Sequence, residues 1–275
     1  MKPLIPMLAG LVFAVGGLPA FFAQSPQTTA ETDDNLWPDA TQCAVSLSYD
    51  DSVPVHHREV APLLEKHGLR GTFYLSALTI KTRRLGKSWP QRVTNWAIIR
   101  SSTPADVSIF ESWLPEYYDL ADYTSGRFRD ELRVANLLLD LLDGGKPRNY
   151  GNNCTIGRGD DEQPMDPILD ELFVAARGTI TERPVDPRQP AFTRLGHFNG
   201  DGKTFAQLRA EIEDARSRGE WVIYMFHGVG EGTHGLFVED EVHRQLIAWL
   251  DQERDSIWTA PVVEIASHLQ SGSGA

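Results

Sequence analysis

The chain has 275 residues, 41% of them hydrophobic and 23% charged. That composition is globular, and the length suits one large α/β domain or two small ones. A net charge of −12 argues against a nucleic-acid partner held by phosphate contacts.

Residues 1–23 (MKPLIPMLAGLVFAVGGLPAFFA) carry one lysine near the start and then an apolar run without charge. This is the pattern of a signal peptide. Its prolines, glycines and modest length weigh against a membrane anchor, so no stable span is expected after removal. Residues 24–40 are polar and proline-containing and read as a leader into a domain at 41–270. Export to the periplasm, the cell envelope or the medium follows. The two cysteines are Cys43 and Cys154. Cys43 opens a strand whose other end is ~23 Å away, so with Cys154 at that other end the pair cannot bridge.

Val45, Leu47 and Tyr49 alternate in a strand at 43–49. Residues 54–68 (PVHHREVAPLLEKHG) predict a helix with Val60, Leu63 and Leu64 on one face and Gly68 at its end. Residues 71–76 (GTFYLS) predict a second strand. Residues 126–142 form the clearest helix, with Phe128, Leu132, Ala135, Leu138 and Leu142 at helical spacing and Gly144 as the stop. A short helix at 166–173 leads into a strand at Val174. Residues 204–218 are an amphipathic helix ending at Gly219, and 221–227 (WVIYMFH) read as a strand covered on both faces. A helix at 239–252, a strand at 257–261 and a helix at 262–269 complete the chain. This βα alternation predicts a parallel sheet or barrel.

In such folds chemistry gathers where strands end. Asp50 and Asp51 end the first strand and His227 ends WVIYMF, while Cys154 sits in a Gly/Asn-rich loop after a short strand. Two adjacent aspartates also suit a plain turn, and His227 read alone suits a core histidine held by a backbone carbonyl. His56, His57, His67, His197 (in a Gly/Asn loop) and His243 have structural readings. His234 lies close enough in sequence to His227 to line the same cleft.

The ordered stretches CAVSLSYDD, RGTFYLS, RDELRVANLLLDLLDGGKPR, FVAARG, WVIYMFHGVGEG and IWTAPVVEIA together resemble the polysaccharide deacetylase family, carbohydrate esterase family 4, over about residues 41–269. The resemblance implies a distorted (β/α) barrel and a hydrolase that removes N- or O-linked acetyl groups from a polysaccharide with metal-activated water. It implies Asp50 as the base, Asp51 as a metal ligand, and His227 as the acid for the leaving amine or alcohol. It implies Arg177 as the partner that orients Asp50. Tyr150 and Cys154 fall in the region of a substrate loop that offers a backbone N–H to the oxyanion. The implied cofactor is a divalent metal, zinc first, although cobalt or nickel would suit the same ligands. The implied partner is an acetylated polysaccharide or oligosaccharide: peptidoglycan, chitin-like oligomers, acetylated xylan or an exopolysaccharide.

One family element is missing. Two further metal ligands come in the family as His-Ser/Thr-x-x-His between the second strand and the long helix, but this chain has no histidine between His67 and His197. One aspartate cannot hold a catalytic metal, which takes three protein ligands. Back-translated and read one base earlier, Trp89–Pro90 must give Ala, Asn95–Trp96 must give Leu and Trp96–Ala97 must give Gly. The free positions permit Ala-Ala-Ala-Gly-His-Glu-Leu-Gly-Asn-His-Ser-Leu-Leu-His-Pro-Cys between Trp89 and Ala105. Residues 86–112 are therefore read as a compensated pair of frameshifts, from a sequencing error or a gene lesion. The chain as written is then an impaired enzyme. The other readings are a glycan-binding pseudoenzyme, and a hydrolase that recruits different ligands such as His234 or Asp106.

Overall fold

The computed structural model describes residues 36–76, 106–110, 124–152 and 163–272. The expected signal peptide, most of the leader, Cys154 and the stretch 86–112 apart from 106–110 lie outside these residues.

The described elements run β1 (Cys43–Tyr49), α1 (Ala61–Lys66), β2 (Thr72–Ser76), β3 (Asp106–Phe110), α2 (Ser125–Asp143), β4 (Asn149–Gly151), α3 (Asp166–Leu172), β5 (Ala175–Ile180), β6 (Leu195–Asn199), α4 (Phe205–Arg218), β7 (Trp221–Phe226), β8 (Gly228–Val229), β9 (Phe237–Val238), α5 (Asp240–Gln252), β10 (Ile257–Thr259) and α6 (Val262–Gly272). Strands β1 to β7 lie in sequence order, and β1 also pairs with β7. Every one of these pairings is parallel. The sheet therefore closes into a (β/α) barrel with all strand C-termini at one mouth. β10 pairs with the start of β1.

Strand alternation separates two environments. Leu47 and Tyr49 pack outward with Tyr224, Phe226, Leu208 and Leu246 in the core between sheet and helices. Ser46, Ser48 and Asp50 are the alternate set. The Ser48 hydroxyl donates to the Tyr224 carbonyl at 2.6 Å and accepts from Arg177 at 2.7 Å. Ala44, Trp221, Ile223, Leu195 and Ile265 form a separate apolar cluster at the other end of the same strands.

Several boundaries differ from the sequence expectation. The helix expected at 54–68 runs from Pro54 to Lys66 with a wide turn at His56–Val60 before α1. On α2 the buried stripe is Phe128, Leu132, Ala135 and Leu139, and Leu138 is exposed, because 135→139 is the i+4 step that keeps the face. His197 lies on β6 and is buried, where the Gly196 and Asn199 flanks suggested a loop. The end of the expected leader joins the domain: Trp37 is buried and its indole N–H donates to the Gly219 carbonyl at 3.0 Å.

Candidate active site

β1 delivers Asp50 to the mouth, where its backbone N–H continues the ladder by donating to the Phe226 carbonyl at 2.8 Å. The next two residues take left-handed backbone, Asp51 at φ +67° and Ser52 at φ +52°. Non-glycine residues seldom hold that conformation, and such strain gathers where a side chain must be aimed. The turn throws the two carboxylates apart. Asp50 is 1% exposed, whereas the Asp51 side chain is 37% exposed.

Burial of Asp50 is met by Arg177 on β5. Its two terminal nitrogens grip the carboxylate at 2.8 and 2.5 Å, and the guanidinium lies 4.5 Å from the centre of the Tyr74 ring. Burial alone would lower the Arg177 pKa; the Asp50 charge and hydrogen bond, with Tyr74 and Asp51, together outweigh it and hold the group above its ordinary value. A planar fork on a carboxylate fixes orientation as well as charge.

β7, the strand paired with β1, delivers His227 to the same level of the mouth beside Asp50. Its ring Nδ1 lies 2.6 Å from Asp201 Oδ2, and its backbone N–H donates to the other Asp201 oxygen at 3.0 Å. Since the carboxylate accepts, Nδ1 carries a proton and Nε2 faces the cleft. Burial lowers the pKa of His227, but the Asp201 hydrogen bond and the charges of Asp50, Asp201 and Asp51 raise it above the ordinary histidine value. His56, given a structural reading from sequence, donates from Nε2 to the His227 carbonyl at 2.5 Å. Sequence reasoning missed Asp201. The signal was a lone Asp between two glycines directly after a strand, which looks like an ordinary turn.

His234 joins this group. Its Nε2 is 3.4 Å from Asp51 Oδ2, with His227 Nε2 3.9 Å from the same oxygen. The two imidazoles stack, ring centres 5.2 Å apart and planes 10° from parallel. The mouth thus brings together Asp50, Asp51, Arg177 and His227. Tyr150 does not line it, because its ring packs on Phe128 and Phe173 in the cluster beneath α2 and α3. Asp106 opens β3 in register with Thr72, which pairs with Ser48, two residues below the level of Asp50. Among the described residues no group of three His, Cys, Asp or Glu side chains could hold a metal ion. Asp51 alone does not fit a catalytic metal, which needs three protein ligands.

No protein-family model and no curated protein matches the sequence. Solved structures do match in three dimensions. A Mycobacterium smegmatis protein assigned to the polysaccharide deacetylases aligns with a TM-score of 0.55 at 15% identity, over 86% of this chain and 93% of its own. A mutant of a carbohydrate esterase family 4 pseudoenzyme with restored enzymatic activity aligns at 0.50 and 14% identity, over 82% and 68%. Peptidoglycan deacetylase PdaC from Bacillus subtilis aligns at 0.50 and 9% identity, over 84% and 94%. The chain has the (β/α)-barrel fold of the carbohydrate esterase family 4 polysaccharide deacetylases.

Proposed function

We propose that the barrel mouth is the reaction site of an exported hydrolase that removes acetyl groups from a glycan. The observation that carries this reading is the pairing of two differently prepared groups at the ends of adjacent strands. Asp50 is an oriented carboxylate clamped by Arg177, and His227 is an imidazole biased toward protonation by Asp201. Environments that keep a base and an acid apart at one pH are what acyl hydrolysis requires. A water oxygen attacks the acetyl carbonyl carbon, and Asp50 takes the proton that water loses. The C–N or C–O bond to the sugar breaks, and His227 Nε2 gives its proton to the departing nitrogen or oxygen. Acetate and a free amine or hydroxyl are the products. Cys154, and the backbone of Tyr150 rather than its ring, belong to the proposed substrate side.

Asp51 is proposed as one carboxylate ligand of a divalent cation such as zinc. Its companions are not among the described residues, and no step above is routed through the cation. The same gap supports a second reading, a glycan-binding pseudoenzyme with the cleft intact and no turnover. One experiment separates them: acetate release from chitin oligomers, acetylated xylan and peptidoglycan, with the metal content of the same protein. Acetate release that stops on chelation and in Asp51→Asn supports the hydrolase. Glycan binding without acetate or metal supports the pseudoenzyme.

A further inference from the structure

We propose that His234 is a positioning residue of this site, holding the Asp51 carboxylate from one side while its ring backs that of His227. The inference rests on the site reading above and adds a residue to it.

The loop that carries His234 is built to place it. Gly230 and Gly232 take left-handed backbone at φ +84° and +79°, conformations that glycine adopts without a Cβ penalty. The Thr233 hydroxyl donates to the Gly230 carbonyl at 2.7 Å. β8 and β9 pair across the loop, and the Gly228 N–H donates to the Leu236 carbonyl at 2.9 Å. Gly228 must lack a side chain, since a Cβ there would stand 2.9 Å from His234 Cβ and 2.5 Å from the Thr233 hydroxyl.

The tautomer follows from counting partners. The Leu236 carbonyl already accepts from Gly228, and the Leu236 N–H points at His234 Nδ1 at 3.1 Å. With Nδ1 accepting that N–H, the ring proton sits on Nε2, the atom 3.4 Å from Asp51 Oδ2. The alternative tautomer donates from Nδ1 to the Leu236 carbonyl at 3.0 Å. It turns a lone pair toward a carboxylate and leaves the Leu236 N–H without that acceptor. The first arrangement turns the Nε2 proton toward the Asp51 carboxylate and keeps an acceptor for the Leu236 N–H. His234 thereby fixes one oxygen of a half-exposed aspartate on a strained turn. By stacking, it also confines the ring of His227, whose far nitrogen is already tied to Asp201.

The test reads the contact directly and then its consequence. Imidazole nitrogen NMR on the full chain should find His234 protonated at Nε2, with its resonances shifted by Asp51→Asn. A proton on Nδ1, or indifference to Asp51→Asn, overturns the proposal. In acetate-release assays His234→Phe keeps a stacked ring without the N–H and should lower kcat by about tenfold to a hundredfold, with KM nearly unchanged. His234→Gln restores a donor near the same point and should recover most of the loss. Equal losses in two variants with native circular dichroism overturn the positioning role. If the wild-type protein releases no acetate, the hydrolase reading fails, and the NMR result alone decides the place of His234.

Discussion

Arg177 carries a full charge into a fully buried place, and the Asp50 carboxylate, with the Ser48 hydroxyl and the Tyr74 ring, makes that tolerable. A buried ion pair adds little net stability, because desolvation of both partners offsets their attraction. Removing one partner is different, since the other is left charged and dry. Arg177→Met should therefore destabilise the fold by about 3–5 kcal/mol in urea unfolding. The double variant Asp50→Asn/Arg177→Met should recover much of that loss. A double variant no better than the single would show that packing on Tyr74, and not charge, is what Arg177 supplies. The buried histidines make a second residue-scale prediction. Burial lowers His56 to about 4 and His243 to about 3. Burial, with the nearby charges of Arg177 and His227, lowers His197 to about 2. Each stays neutral in the fold while the unfolded chain takes up a proton as the pH drops through 6.5. The unfolded state then binds more protons, so stability is complete above that value and falls with pH until the folded pKa is reached. Each residue contributes up to about 1.4 kcal/mol per pH unit in its window. Urea midpoints should drop steadily from neutral pH toward pH ~4; a flat profile would contradict their burial as neutral rings.

The elements show which sequence signals translate into structure. α4 was legible to within one residue: the helix starts at Phe205, Thr204 caps it, accepting from the Gln207 N–H while Gln207 returns a bond to the Thr204 N–H, and Gly219 closes it at φ +70°. Thr204→Ala should cost about 1 kcal/mol and, for a domain of this size, lower Tm by roughly 2–4 °C. A shift below about 0.5 °C would mean that packing of Leu208 and Ile212 holds the helix without its cap. β7 was legible because six successive residues are apolar and all are buried. β6 was not. Leu195, Gly196, His197, Phe198 and Asn199 mix turn-forming types with core types, and only the neighbouring strands settle the matter. β3 was missed because it lies in the stretch 86–112, where no pattern stood out. Asp50, Arg177 and His227 were legible through ordered motifs. Asp201 was not, because its role depends on the approach of β6 to β7, a tertiary fact with no local signature. The stripe on α2 was off by one position toward its end, and Leu141 is left 76% exposed.

At the scale of the whole molecule, the mouth is complete on one side and incomplete on the other. β1, β5, β7 and the turn after β6 contribute a carboxylate, its clamp, an imidazole and its partner, each buried or bonded. A barrel with no reaction to perform has little use for a buried Asp–Arg pair, which stabilises a fold less well than apolar side chains of the same volume. Among the described residues Asp51 has no companion ligand set, and the sequence resemblance implies one between the second strand and the long helix, in the part of this chain without histidine. The reading frame offers a single cause. Two tryptophan codons force Ala, Leu and Gly one base earlier, and the register that yields them also permits His at the Ile98–Ile99 and Ser102–Thr103 junctions, the spacing of the absent pair. We therefore predict that resequencing codons 80–115 from the source DNA will reveal two compensating frameshifts. The protein expressed from the corrected gene should bind one divalent ion per chain through Asp51 and release acetate. The chain with residues 86–112 as given should bind the ion and release acetate more weakly, while retaining the Asp50–Arg177 and Asp201–His227 pairs. If the DNA confirms the given sequence, the site lacks the family's metal ligands by inheritance. The two histidines that face Asp51 are then all that the described mouth offers it, and glycan binding without turnover becomes the reading to test.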